Sequence, residues 1–208
     1  MLRSTAMRSH KEQAMTLRRE PIPNDLWQRR QQEKKAWPKF IQSLQPNYFL
    51  TLTFNDATPS TIGLGPLKGR RDLSAQDAER AINFFYKKML RALLGPTWHK
   101  RKERQPIAIA FLEGPSRITN SHGMPVNHQS TPHYHVHLTV PEDEIEKFEA
   151  IDLNALWRDA NTELHRSAYM EKNTTKEQIA ARSFYALLQF TRAPIGHEYV
   201  ILGANTLG

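Results

Sequence analysis

The sequence contains no cysteine. This absence excludes disulfide bonds, catalysis by a cysteine thiolate and zinc sites built on sulfur ligands. Any metal ion that the chain binds must therefore be held by nitrogen and oxygen atoms. Such a donor set is compatible with manganese, magnesium, zinc and other first-row ions.

Long apolar segments are also missing. No run of about 18 apolar residues occurs, and the mean hydropathy is -0.63, so we expect no membrane partner. The basic N-terminus is not followed by an apolar segment, which argues against a secretory signal and predicts a cytoplasmic protein. The sequence also lacks a glycine-rich phosphate loop of the G-x-x-x-x-G-K-[ST] type, so we expect no fused P-loop motor.

Acidic residues are outnumbered, and most of the surplus positive charge lies near the N-terminus. The net charge is +8 at pH 7 and the isoelectric point is about 9.8, which is typical of proteins with a polyanionic partner, most often nucleic acid. Residues 1–40 contain ten lysines and arginines against four acidic residues. We interpret residues 1–40 as a basic extension, partly helical or disordered, and residues 41–208 as one domain. The extension is either a solvated tail or an arm that contacts phosphates.

The pattern of apolar residues predicts an α+β domain. Runs of aromatic and β-branched residues predict strands at 48–54, 106–113, 133–140 and 199–202. Helical spacing of apolar residues predicts helices at 24–37, 74–95, 142–166 and 176–190, the first of them interrupted by Pro38. We therefore expect a central antiparallel sheet with helices packed on it.

Three histidines alternate along one predicted strand. His133, His135 and His137 are separated by single residues, and successive side chains of a strand point to opposite faces, so the imidazoles line one face. Imidazoles at positions i and i+2 can hold one divalent ion. Glu113 ends an apolar neighbouring strand and is the candidate third ligand, because an unpaired buried carboxylate is costly. The alternatives are an unusually polar sheet surface and a Glu113 that only marks the exit of its strand into solvent.

Three motifs, taken in order, resemble those of the HUH endonuclease superfamily, and most of all its single-tyrosine rolling-circle replication initiators (Rep proteins). They are Thr51-Leu52-Thr53, Glu113 and His133-Tyr134-His135, each on its own predicted strand. The resemblance covers residues 47–190 and implies a ferredoxin-like or RRM-like nuclease core. It further implies that His133, His135 and Glu113 bind a divalent metal ion, with manganese or magnesium preferred.

His137 is the surplus histidine in this comparison. It lies on the same face as the other two, one step further along the strand. It is predicted to be an extra ligand, a side chain that supports the ligands from behind, or a contact to DNA. A metal pair formed by His135 and His137 instead would require Glu113 to move by about two residues in register.

The resemblance also implies a tyrosine nucleophile on a late helix. In the segment 177–190, Tyr185 shares a face with Arg182, and we predict these two as catalytic residues. A phenol reacts near neutral pH only when a metal or a nearby cation stabilises its anion. Tyr169 and Tyr199 are weaker candidates, and a tyrosine that only packs between helix and sheet is the alternative. The residues of this helix predicted to face the core are Ala180, Phe184, Leu187 and Leu188.

The helix departs from the family pattern at one position. The family usually places a lysine three or four residues after its tyrosine, where this chain has Leu188 and Gln189. In this chain Arg182 or Arg192 would have to supply the positive charge.

The resemblance implies a metal-dependent endonuclease that nicks and rejoins single-stranded DNA through a 5′-phosphotyrosine intermediate and initiates rolling-circle replication. The expected partners are single-stranded or hairpin DNA, a host helicase and host replication proteins. Basic residues predicted to contact the DNA backbone are Lys68, Arg70, Arg71, Lys100, Arg101, Lys102 and Arg104. The alternatives are a transposase or relaxase with the same chemistry, a catalytically decayed nucleic-acid-binding module, and a metal hydrolase that uses water as its nucleophile.

Overall fold

The computed structural model describes residues 24–54, 75–113, 118–119, 125–126, 133–160, 167–188, 190 and 199–203. Several predicted features lie outside these ranges, namely residues 1–23 of the basic extension, Lys68, Arg70, Arg71, Gln189 and Arg192. Within the described ranges, no helix combines the length and the apolar character needed to cross a membrane.

The described residues form five α-helices and seven strands. The helices are α1 (Asn24–Leu44), α2 (Ala75–Leu94), α3 (Ile145–Glu149), α4 (Leu153–Asp159) and α5 (Lys176–Ala186). The strands are β1 (Tyr48–Thr53), β2 (Ile107–Glu113), β3 (Ile118–Thr119), β4 (Pro125–Val126), β5 (His133–Thr139), β6 (Ser167–Lys172) and β7 (Tyr199–Leu202). Short 3-10 turns occur at Trp98–Lys100, Lys102–Arg104 and Glu142–Glu144.

Five strands form one antiparallel sheet in the order β6-β1-β5-β2-β7. Helix α2 lies between β1 and β2 in the chain, and α3 and α4 lie between β5 and β6. This is the split β-α-β arrangement of ferredoxin-like folds, with β7 added at one edge. The predicted α+β architecture, a central antiparallel sheet with helices packed on it, is confirmed. Strands β3 and β4 pair with each other in a separate two-stranded ribbon.

Strand β6 was not predicted from the sequence. Among the described strands it pairs only with β1, at the edge of the sheet, and all of its residues are exposed or half-buried. An edge strand of this kind needs no apolar run, so the polar segment gives a weak strand signal. The helix expected over 142–166 is instead divided into α3 and α4, and the helix expected over 176–190 ends at Ala186.

One face of the sheet carries the larger part of the core. Alternate residues of the central strands, among them Leu50, Ala110 and Val136, pack against the helices on this face. Trp157 of α4 is fully buried here, and its indole nitrogen donates a hydrogen bond of 2.9 Å to the carbonyl oxygen of Thr53. The apolar stripe predicted for α2 is buried in this cluster and comprises Ala78, Ile82, Phe85, Met89 and Leu93.

The opposite face carries the histidines and is partly covered by α1 and α5. A second apolar cluster joins these helices to the sheet and comprises Trp37, Ile41, Phe49, Ile109, Phe111, Ile179, Ala186, Leu187 and Phe190. The ring of Trp37 lies 5.2 Å from that of Phe111 and 4.6 Å from that of Tyr199, between centroids. The histidine face is therefore closed over β2 and β7 by α1.

Helix α1 differs from its prediction at Pro38. The helix continues through Pro38 to Leu44, although proline cannot donate to the carbonyl group of Lys34 one turn earlier. Burial of Trp37 and Ile41, one turn apart on the same face, holds the helix against the sheet through this position. The domain boundary predicted after residue 40 falls inside α1, and the helix packs on the sheet on both sides of this boundary, through Trp37 and Ile41.

Candidate metal centre and tyrosine pocket

The pairing of β2 with β5 brings the predicted ligands together. Glu113 is the register partner of His133 at the end of both strands, and His135 lies two residues further along the same face. Strand β1 flanks β5 on its other side, where Thr53 pairs with His133 and Thr51 with His135. The ligands therefore come from two rigid, hydrogen-bonded strands at one end of the sheet.

Three ligand atoms form a compact triangle. Nε2 of His133 lies 2.9 Å from Nε2 of His135. Oε2 of Glu113 lies 3.2 Å from each of these nitrogen atoms. Among the described residues, Glu113, His133 and His135 are the group whose donor atoms converge closely enough to hold a metal ion.

The dimensions of this triangle fit a divalent ion. For metal–ligand bonds of about 2.1 Å, neighbouring ligand atoms are about 3.0 Å apart in an octahedron and about 3.4 Å apart in a tetrahedron. The observed separations between the ligand atoms, 2.9 to 3.2 Å, are close to the octahedral value and slightly below the tetrahedral one. Two imidazole nitrogens and one carboxylate oxygen also leave coordination positions open toward solvent, which a catalytic ion requires.

The protonation states of the triad suit metal binding. Burial alone would raise the pKa of Glu113, but hydrogen bonds from His133 and His135 lower it to about 2. Burial lowers the pKa of His135, and this effect outweighs the opposing hydrogen bond to Glu113. At neutral pH the site therefore offers a carboxylate and a neutral imidazole, the forms that bind metal ions.

Residues of β1 hold the His135 ring in place. Oγ1 of Thr51 lies 3.4 Å from Nδ1 of His135, on the side of the ring away from Glu113. The ring of Phe49 stacks on His135 at 5.4 Å between centroids, with an angle of 16° between planes. These contacts fix the ring with Nε2 directed toward the other two ligand atoms.

Tyr185 lies beside His135 of this triad. Its ring is 4.8 Å from the ring of His135, between centroids. Tyr185, His133 and His135 line the same open pocket of about 590 Å³. Half of the Tyr185 side chain is exposed, so the phenol is accessible from this pocket.

Arg182 lines the pocket too, but its charge is already paired. Its guanidinium group donates hydrogen bonds to the carboxylate of Glu171, to the side-chain oxygen of Asn173 and, at 3.1 Å, to the carbonyl oxygen of Lys172. All three acceptors lie at or just after the end of β6. The structure thus shows an anchor between α5 and β6 where the sequence predicted a free cation beside the phenol.

The core-facing side of α5 differs from the prediction. Phe184 and Leu188 are exposed, whereas Ile179 and Ser183 are buried. Leu187 is buried as predicted. At the position where the family places a lysine, the carbonyl oxygen of Leu188 instead accepts a 3.4 Å hydrogen bond from Lys34 of α1.

His137 is enclosed beneath the site and does not join the triad. Only 2% of its surface is exposed, and neither ring nitrogen has a hydrogen-bond partner among the described residues. Burial, together with the charges of His135 and Arg182, lowers its pKa to about 3. The predicted contact of His137 to DNA is therefore wrong for this structure, and the alternative ligand pair of His135 and His137 is not formed.

The basic patch at residues 100–104 lies at the far end of the sheet. It precedes the first residue of β2, whereas Glu113 is the last, so the patch and the triad are roughly 20 Å apart along the strand. Arg104 pairs with Asp143 at 2.9 Å and with the buried Glu144. The exposed side chains of Lys100, Arg101 and Lys102 face solvent away from the pocket.

Two further pocket residues lie on a strand that was not predicted; the sequence indicated Tyr169 only as a weaker candidate nucleophile and did not single out Glu171. Tyr169 and Glu171 both lie on β6 and both line the pocket. They alternate with Ala168 and Met170, which pack on the larger core. This two-residue period in the segment 167–172 is the signal that could have revealed them.

Comparisons of the chain with protein-family models, with curated proteins and with solved structures yield no match.

Proposed function

We propose that this chain is a metal-dependent endonuclease that nicks and rejoins single-stranded DNA, with Tyr185 as its nucleophile. One observation carries the proposal. The ring of Tyr185 lies 4.8 Å from that of His135, and His135 belongs to a triangle of donor atoms sized for a divalent ion. A tyrosine that attacks a phosphate must stand next to the metal that holds this phosphate, and the arrangement meets this requirement.

Tyr185 performs the covalent step. Its phenolic oxygen forms a bond to the phosphorus atom of the scissile phosphate, and the bond from phosphorus to the 3′ oxygen breaks. The phenolic proton passes to solvent, and the departing oxygen takes up a proton to become a free 3′-hydroxyl group. Attack of a 3′-hydroxyl group on the phosphotyrosine reverses both bond changes and rejoins the strand.

Glu113, His133 and His135 would hold the divalent ion, for which we propose manganese or magnesium. When bound, such an ion neutralises and polarises a phosphate oxygen, which favours attack on phosphorus. The chain's own contribution is to present three donor atoms in fixed positions. Thr51 and Phe49 hold the His135 ring, and the strand pairing holds Glu113.

The proposed substrate is single-stranded DNA or the unpaired part of a hairpin, and the proposed role is initiation of rolling-circle replication. The resemblance to HUH endonucleases and the net charge of +8 support this choice of partner. The proposed further partners are a host helicase and host replication proteins, which would unwind the DNA. A transposase or relaxase would use the same site, and the DNA recognised would distinguish these roles.

The test is a search for a covalent adduct. The purified chain is incubated with labelled single-stranded and hairpin oligonucleotides, with Mn²⁺ or with a chelator, and analysed on a denaturing gel. We expect a labelled protein band that needs the divalent ion and is absent in Tyr185→Phe. Tyr199→Phe is the matched control, because Tyr199 lies on β7 within an aromatic cluster.

Three results would overturn the proposal. An adduct that persists in Tyr185→Phe removes this tyrosine as the nucleophile. Cleavage without any adduct shows a hydrolase that activates water. Binding of DNA with neither cleavage nor adduct, on all oligonucleotides tried, shows a binding module.

A further inference from the structure

Tyr169 occupies one end of a row of side chains that crosses the whole sheet. The strand register places Tyr169 beside Thr51, then His135, then Phe111, then Tyr199. All of these side chains point to the histidine face. Tyr169 is therefore two strand spacings, or roughly 10 Å, from His135.

The two tyrosines at the ends of this row have opposite environments. Tyr199 packs against the rings of Trp37, Phe111 and Phe190. Tyr169 is 61% exposed and has no ring contact, hydrogen bond or ion pair with any described residue. Its aromatic face is thus left open on the wall of the pocket that His133 and His135 also line.

The charges around this pocket do not favour a phosphate contact near Tyr169. Arg182 is the one cation among the described lining residues, and it is paired with Glu171. A nucleic-acid strand bound near Tyr169 therefore gains little affinity from attraction between its phosphates and the protein. The accessible chemistry is the π-face of Tyr169, and unpaired bases stack readily on such faces.

We propose that Tyr169 is a stacking platform for one unpaired nucleobase, next to the phosphate held at the triad. This inference rests on the proposed function, because it takes single-stranded DNA as the ligand. Only unpaired nucleotides can turn a base face toward the ring, since both faces of a base are covered in a duplex. Tyr169 therefore selects for a single strand at the point where it meets Glu113, His133 and His135.

The experiment measures binding without catalysis. Fluorescence anisotropy follows a short labelled single-stranded oligonucleotide in the presence of chelator, so no nicking step is involved. We expect Tyr169→Ala to weaken binding roughly 5- to 150-fold and Tyr169→Phe to bind within about twofold of the native chain, because phenylalanine keeps the aromatic face. Phe184→Ala is the matched control, because this aromatic residue is exposed on α5 and is not among the pocket-lining residues.

A series of oligonucleotides with one abasic position locates the base. At one position, loss of the base should weaken binding by the native chain as much as Tyr169→Ala weakens binding to the intact strand. Loss of the same base should not weaken binding by Tyr169→Ala any further. Thermal melts of the variants, followed by circular dichroism, must coincide with that of the native chain.

Each outcome separates this inference from the proposed function. If Tyr169→Ala weakens binding and no adduct forms under any condition, the stacking role of Tyr169 is supported and the proposed nicking activity is refuted. If adducts form through Tyr185 but Tyr169→Ala binds like the native chain, the nickase stands and the platform is refuted. A Tyr169→Phe variant that binds as weakly as Tyr169→Ala also refutes it, because the hydroxyl group and not the ring face would then be the contact.

Discussion

Nδ1 of His135 lies 3.4 Å from the hydroxyl oxygen of Thr51, while Nε2 of the same ring lies 3.2 Å from the carboxylate of Glu113. The two nitrogens therefore have different partners. If Nδ1 carries the proton and donates to Thr51, Nε2 keeps its lone pair for a metal ion. We therefore expect Thr51 to favour the metal-binding tautomer of His135, the most buried of the three ligands.

Thr51→Val should weaken metal binding without unfolding the chain. Valine has nearly the same shape but cannot accept the Nδ1 proton, so we expect roughly tenfold lower affinity for Mn²⁺. Isothermal titration calorimetry measures this affinity directly. Thr53→Val is the control, because Thr53 also lines the pocket but pairs with His133 in the sheet. Equal affinities for Thr51→Val and the native chain would contradict the role of Thr51.

Removal of a ligand should abolish tight metal binding. His135→Ala deletes one of two imidazoles, and Glu113→Gln removes the negative charge, so each variant should lower the affinity for Mn²⁺ by about 100-fold or more. His99→Ala, at an exposed position in the turn that precedes β2, should leave it unchanged. Tight, stoichiometric binding in His135→Ala would place the ion elsewhere.

Arg182 should act by positioning α5. Arg182→Met breaks the contacts with Glu171, Asn173 and the Lys172 carbonyl group, which frees the helix segment that carries Tyr185. We expect the rate of adduct formation at saturating DNA to fall roughly 100-fold, while the affinity for DNA changes little. Arg182→Lys should restore part of the rate, and Glu171→Gln should have a smaller effect because two acceptors remain.

Single-turnover kinetics on a gel separate the rate from the affinity. A fall in DNA affinity with an unchanged rate would show instead that Arg182 contacts the substrate.

The buried His137 should make the fold sensitive to acid. Burial, aided by the charges of His135 and Arg182, lowers its pKa to about 3, below the value of about 6.5 for an unfolded histidine. The unfolded chain therefore binds one more proton between these two pH values. The stability that the neutral His137 contributes is fully present above about pH 6.5 and is lost as the pH falls. His137→Phe removes this proton uptake. Between about pH 7 and about pH 5, the native chain should therefore lose roughly 2 kcal/mol more of its free energy of unfolding than the His137→Phe variant.

Urea unfolding of both proteins at the two pH values, with chelator present, measures this difference. Parallel declines in stability would show that His137 is already protonated in the folded state.

The sequence predicted the centre of this fold better than its edges. The strands of Leu50, Phe111 and Val136 are paired on both sides and buried, so their aromatic and β-branched runs are strong signals. Strand β6 has one neighbour and needs no such run, and it escaped detection. Because Tyr169 and Glu171 lie on β6, their positions in the pocket were not predicted either.

The ligands were predictable because two short patterns carry them. Alternation placed His133 and His135 on one face, and a carboxylate at the end of an apolar run singled out Glu113. What the residues contact was not predictable in this way. The ion pair of Arg182 with Glu171 depends on the position of α5 over the sheet, and the enclosure of His137 depends on the same packing.

Helix α1 should be needed for the stability of the domain, although its N-terminal part was predicted to be an extension. Trp37→Ala removes a buried ring that contacts Phe111 and Tyr199, and we expect the free energy of unfolding to fall by about 3–5 kcal/mol. Trp27→Ala is the matched control on the same helix, because Trp27 is 42% exposed, and it should change stability by no more than about 0.5 kcal/mol. Urea unfolding followed by circular dichroism measures both. Equal, small effects of the two substitutions would show that α1 is not part of the cooperative unit.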